Sequence, residues 1–277
     1  MLSYATEGSE HPKHDVICIF TDGGIHDGQS SASSVIGILN DKEAEPKLEK
    51  VEIFSKYHPD STNNIAELSA ILFGIEKAFD RYKSTEEHTY SFLIFSDSEY
   101  SIKSLTEWVF GWYKTYTYEK HDGIVVPYML TKGGSPVKNC ELICAIISYI
   151  VNHQSNFTQI EFVNVKGHTW KRDGVSKQIE YYQKANNTPI TRGEATFIAK
   201  YNHIVDRVAS TVCDWVQNNG YYINKNDNGE QCMQFSHKGI TFNVYDSATD
   251  GLKYSKYMIL NSNMMKQWRK ILCHEPF

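Results

Sequence analysis

Four carboxylates stand out by where they fall in the chain. Asp22 closes a strand-like run, residues 15–22 (DVICIFTD), which is stopped by Gly23 and Gly24. Glu67 falls in the first turn of a helix marked by Ile65, Leu68, Leu72, Ile75 and Phe79 at helical spacing. Asp97 follows the apolar run 91–95, and Asp206 lies within a long amphipathic helix, after Asn202 and His203. Ends of neighbouring strands meet in space, so carboxylates placed there can converge although distant in sequence. Such a cluster, without thiolate or imidazole partners, suits hard cations, Mg²⁺ or Mn²⁺. Like charges that close repel, so the cluster is costly unless a cation fills it. Two such ions ~4 Å apart can activate a water and stabilise the leaving oxygen in phosphodiester cleavage. Taken singly, each acid has an ordinary alternative. Asp22 suits a turn, Glu67 a helix dipole, Asp97 a cap and Asp206 a solvated surface.

The elements that must position these acids follow from periodicity. Three strands are expected at 15–22, 33–39 and 51–57, the last with Val51, Ile53 and Tyr57 on one face. They read as an antiparallel meander. The helix carrying Glu67 has Thr62 or Asn63 as its cap. A strand at 91–95 and a helix through Ile102, Leu105 and Trp108 come next, then an irregular stretch, 111–135, rich in aromatic residues, Lys and Gly. A helix over 137–150, a strand over 160–165, a polar stretch without clear period at about 170–193, and a helix over 194–216 complete the order. The expected architecture is α/β: a mixed five-stranded sheet, β-β-β-α-β-α-α-β-α, flanked by helices. After residues 218–220 (NNG) the texture changes to short strands at 231–235, 240–245 and 256–260 and a helix around 266–272. The division expected is a catalytic domain over 12–217, with an insertion at about 170–193, and a small α+β extension over 218–277.

Local words around the acids carry more than spacing does. In order they read TDGG (21–24), STNNIAEL (61–68), FSDSEYSIKSLTEW (95–108), SPVKNCEL (135–142), VKGHTW (165–170) and NHIVDRVA (202–209). This series resembles the catalytic domain of type 1 ribonuclease H over about residues 15–215. The resemblance implies an endonuclease that hydrolyses the RNA strand of RNA–DNA hybrids, leaving 5′-phosphate and 3′-hydroxyl ends. It implies that Asp22, Glu67, Asp97 and Asp206 bind two Mg²⁺, for which Mn²⁺ can substitute. His168 then matches a loop histidine that aids proton transfer or product departure. Asn63 and Asn64 match contacts to the hybrid, Gly23 a backbone contact, and Asn202 an asparagine near the metals. Trp108 ends the motif before a basic, aromatic protrusion that grips the DNA strand, where Lys114 falls.

Departures from the family pattern are equally legible. Glu99 stands where glutamine is common, adding negative charge near the metals. The turn after Asp22 reads GGIHDGQSS, which leaves open whether Gly28 and Gln29 touch RNA. The insertion at 170–193 either clamps substrate or displaces His168. The extension over 218–277 has no counterpart in the resemblance and is a candidate surface for a protein partner.

Composition bounds the rest. Hydrophobic residues make up 41% of the 277 and aromatics 13%, which argues against a disordered chain. The net charge of −5 counts mildly against a nucleic-acid binder, but steering depends on local patches. Cys18, Cys140, Cys144, Cys213, Cys232 and Cys273 show neither C-x-x-C pairs nor zinc spacing, so reduced thiols in an intracellular compartment, cytoplasm or nucleus, are expected. Neither a signal peptide nor a membrane span is legible, and the chain reads as a monomer. Two other readings compete: a hybrid-binding or replication-scaffold domain with weak or no catalysis, and a related metal-dependent DNA nuclease.

Overall fold

The computed structural model describes residues 13–59, 61–121, 124–170, 173–219, 232–246 and 257–275. β1 (Lys13–His26), β2 (Gln29–Asn40) and β3 (Lys47–Pro59) form the antiparallel meander. α1 (Asn63–Arg81) crosses over to β4 (His88–Ser96), which lies parallel to β1. β7 (Gln159–Asn164) lies parallel to β4 at the outer edge. Alternation along β1 fixes the layers, because successive side chains point to opposite faces. Ile17 and Ile19 face one core with α1 and α4 (Cys140–Asn152). Val16, Cys18 and Phe20 face the other with α6 (Arg192–Asn219). The result is a mixed sheet flanked by helices, in the expected order.

Asp22 is placed differently from its expectation as a strand end. β1 runs on to His26, paired with β2 throughout. What ends beside Asp22 is the parallel ladder to β4, whose last pair is Thr21 with Ser96. Val51 is also exposed rather than inward. The β2–β3 register shifts between Ile36 and Ile38, and Lys50 takes a positive φ, so the alternation breaks there.

Between β4 and α4 the chain forms α2 (Glu99–Lys103), a π turn (Ser104–Trp108) and α3 (Val109–Trp112) as one rod. The stretch expected to be irregular then folds into a hairpin of β5 (Thr117–His121) and β6 (Ile124–Tyr128). The polar stretch before α6, expected to lack a clear period, holds a helix, α5 (Gly174–Asn186).

The described parts of the C-terminal extension join the main body. β8 (Cys232–His237) and β9 (Ile240–Asp246) form a hairpin, and β9 runs parallel to β3, so the sheet has seven strands in the order β7-β4-β1-β2-β3-β9-β8. Phe242 and Val244 pack with Tyr57, Val208 and Val212. α7 (Ser262–Leu272) inserts Trp268 into the α1/α4 core. The strand expected at 256–260 is not formed over 257–260, and residue 256 lies outside the described residues. Instead the Leu260 N–H donates to the Tyr116 hydroxyl at 2.8 Å, tying this segment to the base of the β5–β6 hairpin. Cys18, Cys140, Cys144 and Cys213 are buried free thiols, while Cys273 is exposed. Among the described residues no helix is long and apolar enough to cross a membrane.

Candidate active site

The site forms where the β1–β4 ladder stops. Asp22 extends one residue past the last pair, and Asp97 is the first residue after β4, so the two flank the same strand ends. α1 brings Glu67. The Thr62 side chain accepts from the Ile65 N–H at 3.4 Å and is the cap, which places Asn63 as the first helical residue and Glu67 one turn further in than expected. Gly23 permits the approach: a Cβ on it would lie 2.4 Å from the Glu67 nitrogen. Gly24 does the same for α6, where a Cβ would lie 2.9 Å from the Ala209 backbone. These two glycines let both helices close on the strand, so Asp22 faces Glu67 on one side and Asp206 on the other.

Asp22, Glu67 and Asp97 each offer an oxygen within 4.8 Å of the others. Asp206 stands at the rim, its side chain 27% exposed. All four line a cleft of about 540 Å³ with Gly23, Gly24, Ile25, Asn63, Ser98, Lys166, Gly167, His168 and Ser210. Asn202 reaches the cluster from α6, its Nδ2 donating to Asp97 Oδ2 at 3.2 Å. His168 is exposed at the mouth, with Nδ1 3.9 Å from Asp206 Oδ2. The insertion therefore leaves His168 beside the cluster. Asn64 is half-buried on α1 and does not line the cleft. Trp108 lies outside it, packed between Tyr100 and Trp112, and Lys114 is exposed beyond α3. Glu99 turns away to pair with Lys103 at 2.5 Å.

Sequence reasoning did not single out two residues beside the cluster, Gly167 and His203. Gly167 lies so close to Asp97 that a Cβ would sit 2.4 Å from Oδ2. His203, three residues before Asp206, stacks against Trp170 and has Nδ1 4.0 Å from Asp206 Oδ2. The i, i+3 spacing to Asp206 was the available signal for His203.

The electrostatics fit a cation-binding cluster. Burial, then the charges of Asp97 and Asp206, hold the Asp22 carboxyl well above the usual carboxylate range. Burial and Asp22 do the same to Glu67, and burial is the main cause at Asp97, opposed by the Asn202 hydrogen bond. Among the described residues, Glu67 Oε2 is buried with no hydrogen-bond partner, and so is Asn202 Oδ1. Buried acceptors left over in an all-oxygen set are what a hard divalent ion requires.

A pH dependence follows. Acids whose pKa is raised on folding bind more protons in the folded state, so folding stability falls as pH rises from the ordinary carboxylate range through the raised values. Each unit of separation per group costs ~1.4 kcal/mol once the group is ionised. An ion that replaces the protons removes this cost. Melting temperatures with chelator and with Mg²⁺ should therefore coincide near pH 4 and diverge as pH rises, Mg²⁺ giving the higher value. Superimposed curves at neutral pH would count against cation binding at this cluster.

The RNase H family model matches residues 14–179, more than half of the chain. The chain belongs to the RNase H family. It is thus a ribonuclease H-type hydrolase, as its resemblance implied. It is 28% identical to ribonuclease HI of Haemophilus influenzae over 155 residues, 56% of this chain and 80% of that one. It is 30% identical to ribonuclease H of Actinobacillus succinogenes over 155 residues, again 56% and 80%. Among solved structures it is similar to LC9-RNase H1, a type 1 RNase H with the type 2 active-site motif. That pair shares 16% identity at a TM-score of 0.41, covering 74% of this chain and 87% of the other. The family match stops short of α6, so Asp206 at the cleft rim and Asn202 beside Asp97 lie past the matched residues.

Proposed function

We propose that this RNase H hydrolyses the RNA strand of RNA–DNA hybrids, with two Mg²⁺ held by Asp22, Glu67, Asp97 and Asp206. The observation that carries this reading is the convergence of three acids from β1, α1 and the end of β4 within 4.8 Å of one another, with Asp206 at the rim. Divalent ions bound there supply Lewis-acid charge at a scissile phosphodiester and lower the pKa of water.

The chain's own groups have separate tasks in this reading. Asn202 donates to Asp97 and orients its carboxylate toward the cleft. His168, exposed at the mouth, exchanges a proton with the departing oxygen or helps product leave. Asn63, freed from capping by Thr62, offers an amide at the cleft wall, where a donor–acceptor pair suits a 2′-hydroxyl. Asn64, one residue further along α1 and outside the cleft lining, contacts the hybrid only where the duplex extends past Asn63, and the Gly23 backbone approaches the RNA beside Asp22. Trp108 and Lys114 lie outside the cleft and contact the DNA strand, Lys114 through phosphate.

The test offers the purified protein a labelled RNA–DNA hybrid, duplex DNA and duplex RNA, each with Mg²⁺ and with chelator. Cutting of the RNA strand in the hybrid alone, and only with the ion, is expected. Cutting of duplex DNA would replace this reading with a DNA nuclease, and tight hybrid binding without cutting would replace it with a binding module.

A further inference from the structure

β7 ends at Asn164, and the chain must turn past the cluster before α5 begins at Gly174. That turn carries His168, in the left-handed region at φ 56°, with an exposed ring whose Nδ1 lies 3.9 Å from Asp206 Oδ2. A side chain on such a turn is only as fixed as the backbone beneath it.

α5 grips that backbone at three levels. In the middle, Gln178 is fully buried, and its Oε1 accepts from the Lys166 N–H at 3.1 Å and from the Thr169 hydroxyl at 3.3 Å. The two donors bracket Gly167 and His168. At its start, Gly174 abuts Thr169 so closely that a Cβ would lie 1.7 Å from the Thr169 carbonyl oxygen, so α5 can seat there only with glycine. At its end, Asn186 pairs with the Asn164 backbone in both directions, at 2.8 and 3.1 Å, covering the outer edge of β7. Tyr181 adds a bond to the Asn164 side chain at 3.1 Å, and Tyr182 buries against the α6 core.

Gln178 also carries a cost. Its Nε2 is buried with no hydrogen-bond partner among the described residues. An apolar side chain of equal length would escape that penalty and would lose the grip on the turn. A buried amide at such a position, bonded to the two residues that bracket Gly167 and His168, points to a positioning task.

We infer that Gln178 is a positioning residue for the reaction. It clamps the 166–169 turn so that His168 stays beside Asp206, and the α5 insertion is the brace that carries it. The kinetic part of this inference rests on the hydrolytic reading above; the structural part does not.

The experiment has two arms on the full chain. Amide hydrogen exchange compares the wild type with Gln178→Met. Residues 166–169 should exchange ~10-fold faster in the variant, while β1 and β4 keep their protection. Unchanged exchange at 166–169 overturns the inference. Turnover on the hybrid is then compared in wild type, Gln178→Met, His168→Ala and the double variant. Gln178→Met should lower kcat toward the His168→Ala level with KM nearly unchanged, and should add nothing in the His168→Ala background. An equal loss in both backgrounds overturns the inference, since Gln178 would then act independently of His168. Where the methionine variant does not fold, Gln178→Asn, too short to reach Lys166, makes the same comparison. If the wild type does not cut hybrid at all, the hydrolytic reading fails, and the exchange arm still decides whether Gln178 braces the turn.

Discussion

Asp97→Asn should lower hybrid cleavage by on the order of 10³-fold or more, the scale on which losing one member of a catalytic unit acts. Asp97 is bonded by Asn202, crowded by Gly167 and within reach of Asp22 and Glu67, so every group at the centre of the cleft meets it. The substitution keeps the shape and removes one negative charge. Without metal, Asp22 and Glu67 then feel one fewer repulsive neighbour. The same variant should accordingly melt a few degrees higher than wild type in chelator, where ~1 kcal/mol corresponds to roughly 2–4 °C for a chain of this size class. Its gain from Mg²⁺ should shrink. Paired assays of rate and melting check both halves. Activity within tenfold of wild type, or a lower melting temperature in chelator, would contradict the assignment of Asp97 to the metal cluster.

Trp268→Ala should be the most destabilising single change outside the site. Trp268 has no solvent exposure and lies edge-on to Phe162. Its Nε1 donates to the Leu105 carbonyl at 2.9 Å, inside the π turn. Truncation removes a large buried ring, ~3–5 kcal/mol, and leaves that carbonyl without its partner. Arg269 over the Phe110 ring and the Tyr116 bonds to Met258 and Leu260 tie the same segment to the rod that bears Trp108. The C-terminal helix should therefore unfold together with the catalytic core. Urea unfolding followed by tryptophan fluorescence and by hydrogen exchange at β1 should show one transition, shifted to lower urea in the variant. A variant in which α7 loosens while β1 keeps its full protection would show instead that the extension is an independent unit.

How much of this was legible in the sequence differs by element. α1, α4 and α6 carry apolar stripes at helical spacing, and each forms where its period lies. The site acids were legible because each sits in a distinctive local word, and the sheet brings those words together. α5 was silent for a physical reason. Its buried stripe is Gly174, Gln178 and Tyr182, spaced by four, and two of the three are not hydrophobic. A helix that docks through a glycine contact and a buried amide leaves no trace in a hydrophobic pattern. The partnership of β9 with β3 was equally hidden, because parallel pairing across nearly two hundred residues has no local signature. The strand character of β8 and β9 could be read from their alternation; the neighbour they would find could not. Glu99 was expected to crowd the metals by its position in the motif, yet one turn of helix offers it Lys103, and the pair points elsewhere.

In the proposed reaction these separated acids hold divalent ions against a backbone phosphate. Crystals of the Asp97→Asn variant would weaken the very site in question, so the direct measurement is anomalous diffraction from wild-type crystals grown with Mn²⁺ and a non-cleavable hybrid. Manganese peaks are expected among Asp22, Glu67, Asp97 and Asp206, beside a phosphate of the RNA strand. Saturating Mn²⁺ with no peak between these carboxylates, or a peak bound elsewhere while the hybrid occupies the cleft, would contradict the proposal.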